Sequence, residues 1–389
     1  MENLFEDLMV LVKNSYDFGF TYIDIPLDDK VYRVFDYGVT SWSSFAAPNA
    51  VNCRGTMFDV TDIESPKLVS LPPAKFFNYH EGTQDHTLGK HLGVVMVKRD
   101  GSLISTYLHN DELRLKSKGH ILSDQARWAQ NLLDNNYKQL KTSLYSLAKQ
   151  GYTVNMEYTA PNNMIVVFYP QESLTVLSIR ENATGKMYYD DNLMEKFKDY
   201  PDVLEHLVEN KKMSNIAGKD IEVYINGVLE ETEGEGYVIE IVDDNKQESY
   251  LVKIKNKKYV LVHNAKASIE SPKKVIECIL NNQTDDLRAL FYNDKEILKY
   301  IDNLELIAVK RYNEFKNKVE HYVQDNKNLS IKDFAIKSQK DFGSKSGLVI
   351  NLYKGKENNY IDHIIRNKEE FFPEIKFHGE KNYKKVIKN

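Results

Sequence analysis

Cysteine is nearly absent from this sequence. Cys53 and Cys278 are the two that occur in 389 residues. They exclude a disulfide framework and a four-cysteine zinc site within one chain, and they suit a reducing compartment. Long apolar runs are missing as well. None approaches the roughly 20 residues needed to span a bilayer, so no membrane partner is expected. The first residues, MENLFEDLMVLVKN, are acidic and amphipathic. They lack the basic start and apolar centre of a secretory leader, so a cytoplasmic location is expected. Positive charge is not in excess: the net charge is −5, which gives no global signature of nucleic-acid binding. Internal repeats and low-complexity linkers are also absent.

The 42% hydrophobic content is enough for a substantial core and for two or three domains. Charge is unevenly spread. Residues 271–389 hold 23 Lys/Arg against 18 Asp/Glu, which leaves 29 against 39 for residues 1–270. A mildly basic C-terminal part fits a polyanionic partner. Its last stretch, KFHGEKNYKKVIKN, carries five lysines and one glutamate.

Apolar spacing predicts a helix over 3–14 and a mostly β-like chain from about 20 to 265, with RDGS, ENATGK and INGVLEETEGEG as turns. Helices are expected at 123–150, capped by Ser123, and at 191–211. Beyond about 268 the pattern turns helical. Ser271 and Thr284 read as caps and Pro272 as a first helical residue. Ile297, Ile301, Leu304, Ala308, Tyr312, Phe315 and Val319 mark one face of a long helix. The expected organisation is therefore an α+β domain over 1–267 followed by an all-α domain over 268–389.

One stretch raises a chemical question. HLGVVMVKRDGSLIST, residues 91–106, carries Lys98 out of an apolar run into Asp100-Gly101 and a second strand-like run. It reads as a β-hairpin with Lys98 a solvated turn residue. It also reads as a lysine nucleophile at a strand end, kept partly dry. Lys253 and Lys255 in LVKIKNKKYV lie two apart and so share one face of a strand. They are either a solvated pair or a cradle for an anion; serving phosphates rather than the fold, as an exposed like-charged pair, they should be removable at little cost in stability. Glu235-Gly236 leads into an alternating strand. Glu157 is flanked by strand formers, and an inward carboxylate there needs a donor or a cation. Arg54 sits beside a glycine in NCRG. Lys75 precedes two aromatics in PPAKFFN that could cover a base. His80, His86 and His91 match no zinc spacing and read as ordinary polar residues.

A Lys-x-Asp-Gly, a strand glutamate, a Glu-Gly before a strand and a Lys-x-Lys, in that order, form the motif set of covalent nucleotidyltransferases. The sequence resembles those ATP-dependent ligases and capping enzymes. It is most similar to the RNA ligase 1 family of T-even-type bacteriophages, through CRG, KFFN, DGSLISTYL, KSKG, RENATG, EGY, KIK and TDDLRALF, over residues 1 to about 290. The resemblance implies a nucleotidyltransferase fold and an RNA ligase that joins a 5′-phosphate to a 3′-hydroxyl through lysyl-AMP and adenylylated RNA. Lys98 would be the nucleophile. Lys253 and Lys255 would meet the α-phosphate, and Glu157 the ribose. Tyr37, Arg54, Lys75, Phe77 and Gly101 would line the ATP site. Glu235 would lie near metal and phosphates. Lys118 and Tyr259 match functional positions, although the lead-in KNKKY departs from the family pattern. Asp285 would bind magnesium, although an Asp after Thr284 also suits a helix N-terminus. The implied partner is single-stranded or nicked RNA, a cleaved tRNA anticodon loop in an infected bacterial host, handled by a monomer. DNA ligases and capping enzymes share the lysines but follow them with a β-barrel, whereas this chain turns helical. The family is also associated with tail-fibre attachment, for which no motif is visible.

Overall fold

Lys90–Val97 and Ser102–His109 are both strands, but they do not pair with each other. In the computed structural model, which describes residues 1, 3–14, 19–81, 85–211, 219–263, 269, 271–291, 294–356 and 358–375, they belong to different sheets. The hairpin reading of 91–106 is thus replaced. Each strand is completed by partners remote in sequence: Val95 lies opposite Ile239, and Ile104 opposite Met156. The short segment between the strands crosses from one sheet to the other, and it carries Lys98.

Among the described residues, three sheets with covering helices make up the first two thirds of the chain. An antiparallel meander joins Phe20–Leu27, Lys30–Tyr37, Thr56–Asp59 and Lys67–Ser70, covered by helix Leu4–Lys13. A second antiparallel sheet runs in the order Met187–Tyr188, Ser173–Glu181, Tyr152–Thr159, Ser102–His109, Glu112–Ser117. Helices Asp124–Asn136 and Lys138–Lys149 bury Leu132, Leu133, Leu140, Leu144 and Leu147 against it. The third sheet runs Asn210–Lys211, Lys90–Val97, Gly236–Asp243, Glu248–Lys255, Phe77–Asn78, with its last pair parallel.

The expected helix at 123–150 is two helices, and the Ser123 hydroxyl caps the first by accepting from Ala126 N–H. The expected helix at 191–211 is also broken. Pro201, with no N–H to donate, begins a new helix Pro201–Leu204, and Asn210–Lys211 pairs as a strand. INGVLEETEGEG is not all turn. Its start belongs to helix Lys219–Leu229, whose Ile221, Ile225, Val228 and Leu229 are buried on the third sheet at helical spacing despite Gly227. The strand through Lys253 stops at Lys255, and Lys257–His263 is helical.

From Pro272 to Phe371 the described chain is helical. Lys295–Asp325 buries Ile297, Ile301, Leu304, Ala308, Phe315 and Val319 in a core shared with Phe334, Val349, Ile364 and Phe372, and Tyr312 packs beside it. Ser271 and Thr284 make no capping hydrogen bond; Thr284 is instead the first residue of Thr284–Leu290. Asp294 caps the long helix, accepting from Glu296 and Ile297 N–H. The basic end at 376–389 and the 267/268 boundary lie outside the described residues. Both cysteines are buried and unbonded to each other. Among the described residues no helix is long and apolar enough to cross a membrane.

Candidate active site

Where the chain crosses between the second and third sheets it opens a cleft of about 600 Å³. Lys98 stands on its wall. The Lys98 N–H donates to Gly236 O at 2.9 Å, and its Nζ lies 2.6 Å from Glu235 Oε2. Gly236 is required there: its φ is +140°, and a Cβ would meet Ile254 O at 1.9 Å. Gly101 has a steric reason too, since a Cβ would fall 2.3 Å from Tyr158 O. Its N–H donates to Glu157 Oε1 at 3.1 Å. The turn therefore links the strand glutamate of one sheet to the Glu-Gly of the other.

Lys253 and Lys255 do share a face, but they are not solvated. Their side chains are 14% and 11% exposed, and each is ion-paired: Lys253 Nζ to Asp285 at 2.5 Å, Lys255 Nζ to Asp286 at 2.7 Å and to Glu235 at 3.4 Å. The anions that separate the two ammonium groups come from helix Thr284–Leu290. Burial opposes charging of Lys253, Lys255 and Asp285. The mutual attraction outweighs it, raising both lysines and lowering Asp285. The expectation of a dispensable exposed pair fails for this reason.

Tyr37, Arg54, Lys75, Gly101, Lys118, Glu157 and Asp285 also line the cleft. Lys75 Nζ sits 5.2 Å from the Tyr37 ring centre and 4.9 Å from that of Phe45, and Lys118 Nζ 4.6 Å from that of Tyr37. Burial would raise the Tyr37 phenol, but Lys75, Lys118, Arg54 and Lys253 together lower it. Glu157 is pushed up to about 7, chiefly because burial disfavours its charged form, with Lys98 pulling the other way. It faces an open cleft, so water relieves part of that shift.

Two expected residues lie elsewhere. Phe77 does not line the cleft; it packs edge-on against Phe45 in the core of the first sheet, while Phe76 takes the wall. Tyr259 is buried, and its hydroxyl donates to Asp100 Oδ1 at 2.8 Å, so it braces the Lys98 turn rather than the cleft. Glu235 is buried behind the cleft wall, paired with the cleft lysines Lys98 and Lys255.

Sequence reasoning missed three features. Lys116 is fully buried and donates to Gly55 O, Ser117 O and Lys118 O at 2.8–3.1 Å. It staples the Arg54 loop to the Lys118 loop, and burial pushes its ammonium down to about 7. Asp286 is the second carboxylate of TDDLRALF, and its adjacency to Asp285 was the available signal. An apolar lobe of the cleft is lined by Met96, Leu177, Met187, Val238 and Leu251. Leu177 is left unpaired by a register shift between Val176 and Ser178, and Ser178 Oγ is buried there without a hydrogen-bond partner among the described residues. His86 is buried and His80 half-buried, both away from the cleft, and burial drives both down to about 4. Among the described residues no three His, Cys, Asp or Glu side chains gather to hold a metal.

A lysine on the crossover between the second and third sheets, with a glutamate from each and paired lysines from the third, fits the nucleotidyltransferase fold of ATP-dependent ligases. A family model for RNA ligase matches residues 52–261, and one for the T4 RNA ligase 1 C-terminal domain matches 266–387. The chain belongs to the T4 RNA ligase 1 family. It is 28% identical over 70% of its length to a protein of Autographa californica nuclear polyhedrosis virus assigned as a bifunctional polynucleotide kinase/RNA ligase. It is 26% identical over 66% of its length to a Thermovibrio ammonificans protein assigned as an RNA ligase. The chain spans 40% and 65% of those two curated relatives. Similar solved structures include an archaeal ATP-dependent RNA ligase (TM-score 0.44, 16% identity, covering 76% of this chain and 79% of that one). A Naegleria gruberi RNA ligase with pyrophosphate is another (TM-score 0.35, 12% identity, covering 53% and 67%).

Proposed function

We propose that this chain is an ATP-dependent RNA ligase that works through lysyl-AMP and adenylylated RNA. The observation that carries the reading is the placement of Lys98 beside Glu235 and Glu157 in a cleft whose walls bear Arg54, Lys75, Lys118, Lys253 and Lys255. Lys98 Nζ attacks the α-phosphorus of ATP, the bond to the β-phosphate oxygen breaks, and pyrophosphate leaves. The attacking amine must shed a proton, and Glu235 Oε2 is the nearest acceptor at 2.6 Å. The lysines and arginine offset the phosphate charge that develops in transfer. The apolar lobe suits the faces of adenine, with Ser178 Oγ free to hydrogen-bond its edge. The AMP then passes to an RNA 5′-phosphate, and a 3′-hydroxyl displaces it.

Magnesium would come with the phosphates of ATP, which supply most of its usual oxygen ligands, and Asp285 is the carboxylate at hand. To reach the α-phosphate, Lys253 and Lys255 must give up Asp285 and Asp286, so nucleotide and helix Thr284–Leu290 compete for one pair of cations. We assign residues 1–267 to adenylyl transfer and 268–389 to substrate choice. The finer substrate proposed is a cleaved tRNA in an infected bacterium, on family membership and the basic C-terminal balance. The test is incubation with α-labelled ATP and magnesium, followed by 5′-phosphorylated single-stranded RNA. A labelled band that disappears as sealed RNA forms supports the reading; a protein that never takes label refutes it.

A further inference from the structure

The loop that joins strands Tyr152–Thr159 and Ser173–Glu181 combines two features that rarely coexist. Its backbone is pinned. Asp100 Oδ2 accepts from Val166 and Val167 N–H at 2.8 and 2.7 Å, and Asp100 N–H donates to the Tyr169 hydroxyl at 3.1 Å. Asn163 Nδ2 donates to Tyr158 O and Ser102 Oγ. Yet its large apolar side chains face water: Met164, Ile165 and Phe168 are 55%, 48% and 62% exposed. A rigid apolar patch left wet marks a binding surface. It is anchored to the residues that directly follow Lys98, and Arg99 joins it to the cleft, lining the cleft wall with its guanidinium 5.8 Å from the Tyr169 ring.

From this placement we infer that the 161–172 loop is a stacking platform for the terminal bases of single-stranded RNA, with Phe168 its main contact. The inference rests on the ligase reading above. Charge complementarity selects the occupant: eight Lys/Arg against five Asp/Glu line the adjoining cleft, in a chain of net charge −5. The loop itself bears one charge, Glu172, and so offers an acidic or basic protein little to pair with. Aromatic rings beside a cationic groove hold single strands without reading their sequence, because every base has a face to stack. The chemistry needs such a grip, since both RNA ends must be held at one lysine.

The test uses the full chain with Phe168→Ala, Phe168→Leu and Phe168→Tyr. Phe168 is exposed, so all three should fold. Binding of a fluorescent 5′-phosphorylated single-stranded RNA is read by anisotropy, label transfer from ATP to protein is read separately, and oligomeric state is read by light scattering. The expected result is roughly tenfold weaker RNA binding for Ala and Leu, near-wild-type binding for Tyr, and unchanged labelling in all. Equal RNA binding by wild type and Phe168→Ala overturns the platform. So does wild-type binding by Phe168→Leu, which would mean generic apolar contact, or a dimer that Phe168→Ala dissolves, which would make the patch an interface between copies. If wild type binds RNA through Phe168 but never takes label from ATP, the platform stands and the ligase reading falls.

Discussion

Replacing Lys255 by alanine tests whether the two strand lysines are solvated or built in. Lys255 lies between Asp286, 2% exposed, and Glu235, 3% exposed. Without it, Glu235 keeps Lys98, but Asp286 Oδ1 loses the cation at 2.7 Å and stays in a low-dielectric setting. Removing one partner of a buried pair costs about 3–5 kcal/mol, against about 0–1 kcal/mol for an exposed pair. Because Lys253 remains close by, the low end applies, about 3 kcal/mol, or somewhat over a hundredfold in the folding equilibrium. The assay is urea unfolding, read as a shift in midpoint at constant slope. Adding Asp286→Asn to Lys255→Ala should return much of the loss, because the stranded charge is gone, while adenylylation stays depressed by roughly a hundredfold or more. A Lys255→Ala protein that unfolds within about 0.5 kcal/mol of wild type would refute the reasoning and restore the solvated-pair reading.

Lys98→Ala should take no label from ATP, and Lys98→Arg should not rescue it, because a guanidinium stays protonated; peptide mass spectrometry should find AMP on Lys98, and an adduct elsewhere would contradict the assignment. Glu157 binds its proton more tightly when folded, so its contribution is full below about 4.5 and is lost as pH rises through about 7. Glu157→Gln should therefore gain stability relative to wild type across that window, and a flat difference would show that the carboxyl is not buried. Lys116 is the reverse case: its folded value near 7 lies below the ordinary 10.5, so wild type should gain on Lys116→Met as pH climbs between them. At neutral pH that variant should also be about 2 kcal/mol less stable, since the buried Gly55 carbonyl and two half-buried ones lose their donor; a gap that ignores pH would count against the shift.

The sequence by itself singled out the candidates for the chemistry. Chemical type and order along the chain are local facts, and Lys98, Glu157, Glu235 and Lys253/Lys255 could be read in order before any contact was known. The long helix was equally legible, because Ile297 through Val319 repeat at three and four residues and so can bury only one face. What the sequence could not determine was pairing between remote segments. Lys90–Val97 and Ser102–His109 have every local mark of a hairpin, and they part because the apolar faces of each are better completed by other strands. That separation puts Lys98 on a crossover rather than in a solvated turn. Burial was likewise undecided: Lys116 and Lys118 look alike in KSKG, yet one is sealed under three carbonyls and the other leans on Tyr37 at the cleft. The pairing of Lys253 and Lys255 with Asp285 and Asp286 joins residues some thirty positions apart on a strand and a helix. Only the packing of that helix on the third sheet brings the four charges together, because the attraction that fixes them acts through space and leaves no periodic mark in the chain.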